Sequence, residues 1–201
     1  MAALDVTAAP EVRRVLREVL RGDDAPRDGT VLVTHDLLDV LALADTVAVL
    51  QDGRVAERGA VHDVLTRPRS AFAARVAGLV LLTGRATAEG LRTADGTLVA
   101  GVVDDDCPPG REAVAVLDPA AVAVHATEPA GPASGTRNRW RVTVTQLEPR
   151  GRAVRVRACR GPLELFADVP VESAAAARLA PGDEVHLVAE AAAVRVHAAG
   201  G

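Results

Sequence analysis

The sequence predicts a mixed α/β segment over residues 1–78, followed by two all-β units over residues 79–130 and 131–201. Three observations carry this. Before Leu82, apolar residues recur at helical spacing and in short β-branched runs. After Leu82, short alternating runs are punctuated by glycines at 84, 90, 96, 101 and 110. An 18-residue block then occurs twice, with a Pro-, Gly- and Ala-rich linker, EPAGPASG over 128–135, between the copies.

Taken in order, residues 9–21 (APEVRRVLREVLR) predict an amphipathic helix. Val12, Val15, Leu16, Val19 and Leu20 share one face, and Pro10 suits the first turn. The run Gly22-Asp23-Asp24 ends it. Residues 30–33 read as a buried strand. Residues 36–44 read as a helix that Asp36 can cap. Residues 46–50 and 54–58 predict a hairpin around Gln51-Asp52-Gly53. Short helices are expected over 60–66 and 70–77, separated by Pro68. Beyond Leu82 the alternation in Val114/Val116 and Val122/Val124 predicts strands, and a second strand-rich unit runs from Asn138 to His197.

The repeat pairs Pro109–Ala126 (PGREAVAVLDPAAVAVHA) with Pro181–Ala198 (PGDEVHLVAEAAAVRVHA). They align without a gap at an offset of 72, with ten of eighteen positions identical. Two copies of one structural unit are therefore expected.

Composition narrows the function. Aromatics make up 1% of the chain, as Phe72, Trp140 and Phe166, so the core must be built from Val, Leu and Ala. A net charge of −4 gives no global attraction to nucleic acid or anionic membrane. Cys107 and Cys159 lack C-x-x-C spacing and read as free thiols of a reducing compartment. His125 and His197 stand at equivalent repeat positions without a Cys or carboxylate cluster, so no metal site is expected. No run reaches the roughly 18 apolar residues needed to span a bilayer. A cytoplasmic protein is the resulting expectation.

One ordered pattern carries chemistry. Residues 30–59 read TVLVTHDLLDVLALADTVAVLQDGRVAERG, with T-H-D, L-A-D, D-G-R-V and a closing Gly in sequence. Alone, His35 reads as a buried or capping residue. The whole pattern resembles the switch-histidine region of ABC-type ATPases, the nucleotide-binding subunits of importers. That resemblance implies that His35 is the histidine facing the γ-phosphate of ATP. Met1 to Val6 resembles the family's D-loop, which implies a D-loop role for Asp5. Read alone, Asp5 is an N-cap or turn residue. The family's phosphate loop needs Lys, and every one of the 23 basic residues here is Arg. A signature motif and a Walker B carboxylate are also missing from the sequence. The expectation is the C-terminal portion of an ATPase subunit, whether through truncation, a split gene or a late start codon. ATP and Mg would bind only in a complete ATPase, with a permease and a second ATPase subunit as partners at the inner face of the membrane. This chain alone should not hydrolyse ATP.

Residues 134–198 resemble the molybdenum-binding-protein (Mop) domain, called TOBE when attached to ABC ATPases. The landmarks are Thr136-Arg137-Asn138, Arg150-Gly151-Arg152, Val171-Glu172-Ser173 and Leu179 to Val185. The resemblance implies a small five-stranded OB-like barrel, present in tandem. It also implies molybdate or tungstate as ligand, and a site often set between units, so a homodimer is compatible with it. The family's oxyanion donors fall on Arg137, Asn138 and Ser173. Its serine falls on Gly135, with Ser134 adjacent. A hydroxyl position falls on Pro170, and a lysine position falls on Glu190. A carboxylate there repels an oxyanion, so weak binding is expected.

The basic run from Arg137 to Arg160 has two readings, an anion or nucleic-acid surface and a solvated strand face. Single-strand binding needs stacking aromatics, and only Trp140 is near. The solvated face is therefore expected, with Arg155 and Arg157 together on it, and no nucleic-acid partner.

Overall fold

The computed structural model describes residues 8–22, 29–129 and 137–200. Asp5 and Ser134 lie outside them. The first helix, α1 (Ala8–Arg21), is followed by α2 (Leu37–Leu43). Asp36 caps α2 by accepting from the Leu38 amide at 2.7 Å. The hairpin forms from β1 (Thr46–Gln51) and β2 (Arg54–Ala60), turning through Asp52 and Gly53, both at positive φ. Helices α3 (Val61–Thr66) and α4 (Ala71–Ala77) follow.

The strand expected over 30–33 does not form. These residues have no regular structure and no ladder partners, and Val31 and Val33 are 91% and 92% exposed. The reason is physical: an apolar β-branched run becomes a strand only when a neighbour satisfies its backbone, and the described residues supply none. Helix α1 is in the same position. Arg13 holds it to the α2 segment through Asp36 and Asp39, both at 2.6 Å, while Val12, Val15, Leu16 and Val19 stay exposed.

The hairpin and α3–α4 enclose a small core of Val49, Val64 and Ala73. Its polar keystone is Glu57, 9% exposed, whose carboxylate accepts from the amides of Arg69 and Ser70 and from the Ser70 hydroxyl. Ser70 in turn caps α4 through the Ala73 amide. Gly78 closes α4 in the left-handed conformation, and the Leu79 amide returns to the Ala74 carbonyl.

From here the chain is mostly β. The strands are β3 (Val80–Thr87), β4 (Gly90–Arg92), β5 (Leu98–Ala100), β6 (Val102–Val103), β7 (Glu112–Leu117) and β8 (Ala123–His125). After the linker come β9 (Arg137–Arg150), β10 (Ala153–Arg160), β11 (Leu163–Pro170), α5 (Val171–Ala176), β12 (Glu184–Glu190) and β13 (Val194–Ala198). One sheet has the order β5-β4-β3-β7-β13-β6, the other β11-β10-β9-β12-β8. The close approach of β4 to β5 depends on Gly90, whose φ is 151° and where a Cβ would overlap the Val99 carbonyl oxygen.

The two sheets exchange strands. β13, last in the chain, pairs with β7, and β8, from before the linker, pairs with β12. The internal repeat is the exchanged element itself, β7 to β8 in one copy and β12 to β13 in the other, each joined by a 3₁₀ turn. The registers agree residue for residue. Val196 faces Ala115, and at the 72-residue offset Val124 faces Leu187; His197 faces Val114, and His125 faces His186. The second sheet thus has its expected five strands, but one comes from the other side of residue 130. Both sheets share one core, including Leu82, Leu91, Leu117, Trp140, Leu165 and Leu187. Chain order divides these units at the linker; their packing does not.

Candidate oxyanion site

Strand β9 alternates outward Arg137, Arg139 and Arg141 with buried Asn138, Trp140 and Val142. Arg137 begins the strand and faces Glu190 of β12, its Nε donating to the Glu190 Oε1 at 2.7 Å. Both side chains are about half exposed, at 51% and 54%. The carboxylate at the family's lysine position therefore occupies the cation a ligand would need.

Asn138 is 5% exposed and makes two hydrogen bonds to one residue. Its Oδ1 accepts from the Ala100 amide at 2.7 Å, and its Nδ2 donates to the Ala100 carbonyl at 2.8 Å. Ala100 lies on edge strand β5, so the Asn side chain acts as one more peptide group added to that edge. It ties the second sheet to the first. The resemblance implied a ligand for it; the structural role has its own signal, the outward N–H and C=O of a three-residue edge strand, which need a partner when buried.

Ser173 sits exposed on α5, beside the β9–β10 turn, where the Val171 amide donates to the Arg152 carbonyl. Arg137 is at the other end of β9. Fourteen residues of strand separate the two ends, on the order of 40 Å along the chain. Arg137 and Ser173 therefore stand near opposite ends of β9.

His35 is exposed just before α2. It opens on a shallow hollow with Phe72, Arg75 and Val76, while neighbouring Thr34 donates to Asp39 at 2.8 Å. Among the described residues no group of three or more His, Cys, Asp or Glu is placed to hold a metal ion.

The solvated-face expectation for Arg155 and Arg157 fails. Arg155 is 5% exposed and holds Asp168 through two hydrogen bonds, at 2.8 and 2.7 Å. Arg157 pairs with Glu148 and Glu164, and both guanidiniums lie against the Phe166 ring. The cause is register. Asp168 and Glu148 lie directly opposite Arg155 on the two flanking strands, and Phe166 lies opposite Arg157. Trp140 is 1% exposed and is a core residue, not a stacking platform.

Two sheets that exchange strands over one shared core define an OB-like class of fold. Residues 134–196 match the TOBE domain model. Over 99% of its length the chain is 43% identical to the Molybdenum import ATP-binding protein ModC of Mycobacterium tuberculosis (strain CDC 1551 / Oshkosh), 53% of which is covered. It is 40% identical over 108 residues to the Sulfate/thiosulfate import ATP-binding protein CysA of Xylella fastidiosa (strain 9a5c), covering 53% of this chain and 28% of that one. In fold it resembles the cytoplasmic molybdate-binding protein ModG, with a TM-score of 0.53 and 24% identity over 59% of this chain and 95% of that one. Over nearly all of its length the chain is thus similar to part of a ModC-type import ATP-binding protein, and it carries a TOBE domain over residues 134–196. It spans about half the length of the ModC relative it matches.

Proposed function

We propose that this chain is the regulatory C-terminal region of an ATP-binding subunit that drives import of molybdate or a related oxyanion. The observation that carries this is 43% identity to ModC sustained over 99% of the chain, across both the helical segment and the β-rich region. On this reading residues 1–78 are the last part of a nucleotide-binding domain. The exposed run around Val31 and Val33, and the apolar face of α1, pack against the rest of that domain. His35 then meets the γ-phosphate and Asp5 serves the D-loop, in a cytoplasmic assembly with a permease and a second ATPase subunit. The test is a chimera in which the chain is preceded by the remaining half of a ModC relative. His35→Ala in an active chimera should lower ATP turnover by at least about tenfold, the scale of a lost transition-state contact. Unchanged turnover would remove the switch-histidine assignment.

The likeness to ModG favours a second reading, an oxyanion-binding module that acts without ATP hydrolysis. Arg137 is the cation of that site. On this reading Ser173, carried on α5 near the opposite end of β9, comes from a second copy of the chain, and the engagement of Asn138 with Ala100 leaves the site short of a donor. Glu190 is the main obstacle. Calorimetric titration with molybdate should show weak binding by the wild type and at least about tenfold tighter binding by Glu190→Lys, since a unit charge near 4 Å contributes several kcal/mol before screening. Adding Arg137→Ala should abolish the gain. Tight wild-type binding that survives Arg137→Ala would place the site elsewhere.

A further inference from the structure

A cleft of ≈ 440 Å³ lies where three parts of the chain meet. Helix α4 and strand β3 form one wall. The β4–β5 turn (Thr93 to Asp95), the end of β9 and the outer faces of β10 and β11 form the others. None of its lining residues belongs to the Arg137–Glu190 pair, so the cleft is separate from the oxyanion site and its occupancy does not depend on that site.

Charge is distributed unevenly inside it. Four guanidiniums line the cleft, those of Arg75, Arg150, Arg155 and Arg157. Two are already neutralised, Arg155 by Asp168 and Arg157 by Glu148 and Glu164. The other lining carboxylate, Asp95, accepts from the Thr93 and Thr97 hydroxyls and the Thr97 amide and faces Arg160 at 3.6 Å. Arg75 lies over the Phe72 ring without a carboxylate partner, and the Arg150 side chain makes no hydrogen bond or ion pair among the described residues, acting on Asp168 only through space. Two cations of the cleft, both on exposed residues, therefore lack a carboxylate in ion-pair contact. Its floor is apolar, formed by Leu81, Pro162, Leu163 and Phe166.

Size selects the ligand class. The volume falls within the range of small-molecule sites, about 300–1,000 Å³. A single tetrahedral oxyanion would fill a minor part of it and leave the apolar floor wet. An anionic head needs the free guanidiniums, and an apolar body needs the floor. We propose that this cleft binds a small organic anion, an apolar body carrying a phosphate or carboxylate head, with the head held by Arg75 and Arg150. The occupant touches the helical segment and both sheets. It also sits beside the joint at Gly78, whose carbonyl accepts from Arg155 Nη2 at 3.1 Å.

The test is a titration of the full, isotope-labelled chain with phenyl phosphate, read by backbone amide shifts. Saturable shifts are expected at Leu81, Thr83, Thr93 and Leu163. Arg75→Ala and Arg150→Ala should each weaken binding about tenfold, the scale of one charge-assisted hydrogen bond. Inorganic phosphate and molybdate should bind there at least tenfold more weakly than phenyl phosphate, and phenol should bind without dependence on either arginine. The wild-type titration is decisive alone: absence of saturable shifts at those four amides overturns the proposal. So does phenyl phosphate binding unchanged in the double variant, or inorganic phosphate binding as tightly as phenyl phosphate. A molybdate response that depends on Arg137 and leaves these amides unmoved speaks to the oxyanion site and not to this cleft.

Discussion

Replacing Asn138 with Ala should lower the stability of the chain by about 2–4 kcal/mol, because two buried backbone groups lose their partners at once. Both hydrogen bonds go to Ala100, on an edge strand of the other sheet, so no further strand on that side stands ready to replace them. Asn138→Asp should be at least as damaging, since it sets a carboxylate oxygen against the Ala100 carbonyl where an N–H now donates. Ser173→Ala, on the exposed face of α5, should stay within about 0.5 kcal/mol. Urea unfolding of the three variants checks this. Equal midpoints for Asn138→Ala and wild type would mean that Asn138 is not the tie between the sheets, and would make it a free ligand donor again.

Arg155→Ala should cost about 3–5 kcal/mol, the usual penalty for leaving half of a buried ion pair. The Arg155 side chain is 6% exposed and that of Asp168 19%. The substitution also removes the donor to the Gly78 carbonyl and one guanidinium from the Phe166 ring. A pH signature separates this from simple loss of packing. The hydrogen bonds from Arg155 hold the Asp168 carboxyl below the usual carboxylate range, against the opposing effect of burial. The unfolded chain then binds more protons than the folded one between the two pKa values. The pair's stabilisation is complete above the unfolded value and is lost as pH falls through the folded one, so wild-type stability should fall on acidification below about pH 4. In Arg155→Ala that contribution should vanish or invert, because an unpaired carboxyl in the same place is favoured neutral. An unaltered acid limb in the variant would mean that the pair does not form in solution.

Much of the chain was legible in its sequence. The helix over 9–21, the Asp36 cap, the hairpin at Asp52-Gly53 and the helices on either side of Pro68 follow from spacing and turn chemistry, and the structure forms all of them, with the first helix beginning one residue earlier. These are local matters, decided within a few residues. The strand over 30–33 failed for the opposite reason, since a strand needs a neighbour and sequence pattern alone does not supply one.

The candidate site divides the same way. Arg137 and Ser173 are exposed, as residues reaching for a ligand should be, yet their separation along β9 could not be read from motif spacing. Asn138 matched the motif but is occupied by an edge strand 38 residues earlier. Arg155 and Arg157 alternate with valine, which placed them on one face. Whether that face met water depended on Asp168, Glu148 and Phe166 arriving opposite them.

By itself the sequence determined the order of elements, the lysine-free composition that rules out a P-loop, and the duplication at an offset of 72 residues. Tertiary structure decided what the duplication is for. Two copies of one strand–turn–strand unit could each have closed on its own sheet. They cross instead, because at this register each copy's last strand covers the other copy's open edge, and both apolar faces enter one core. That choice depends on which edges are left unpaired once every strand is in place, and no local pattern encodes it.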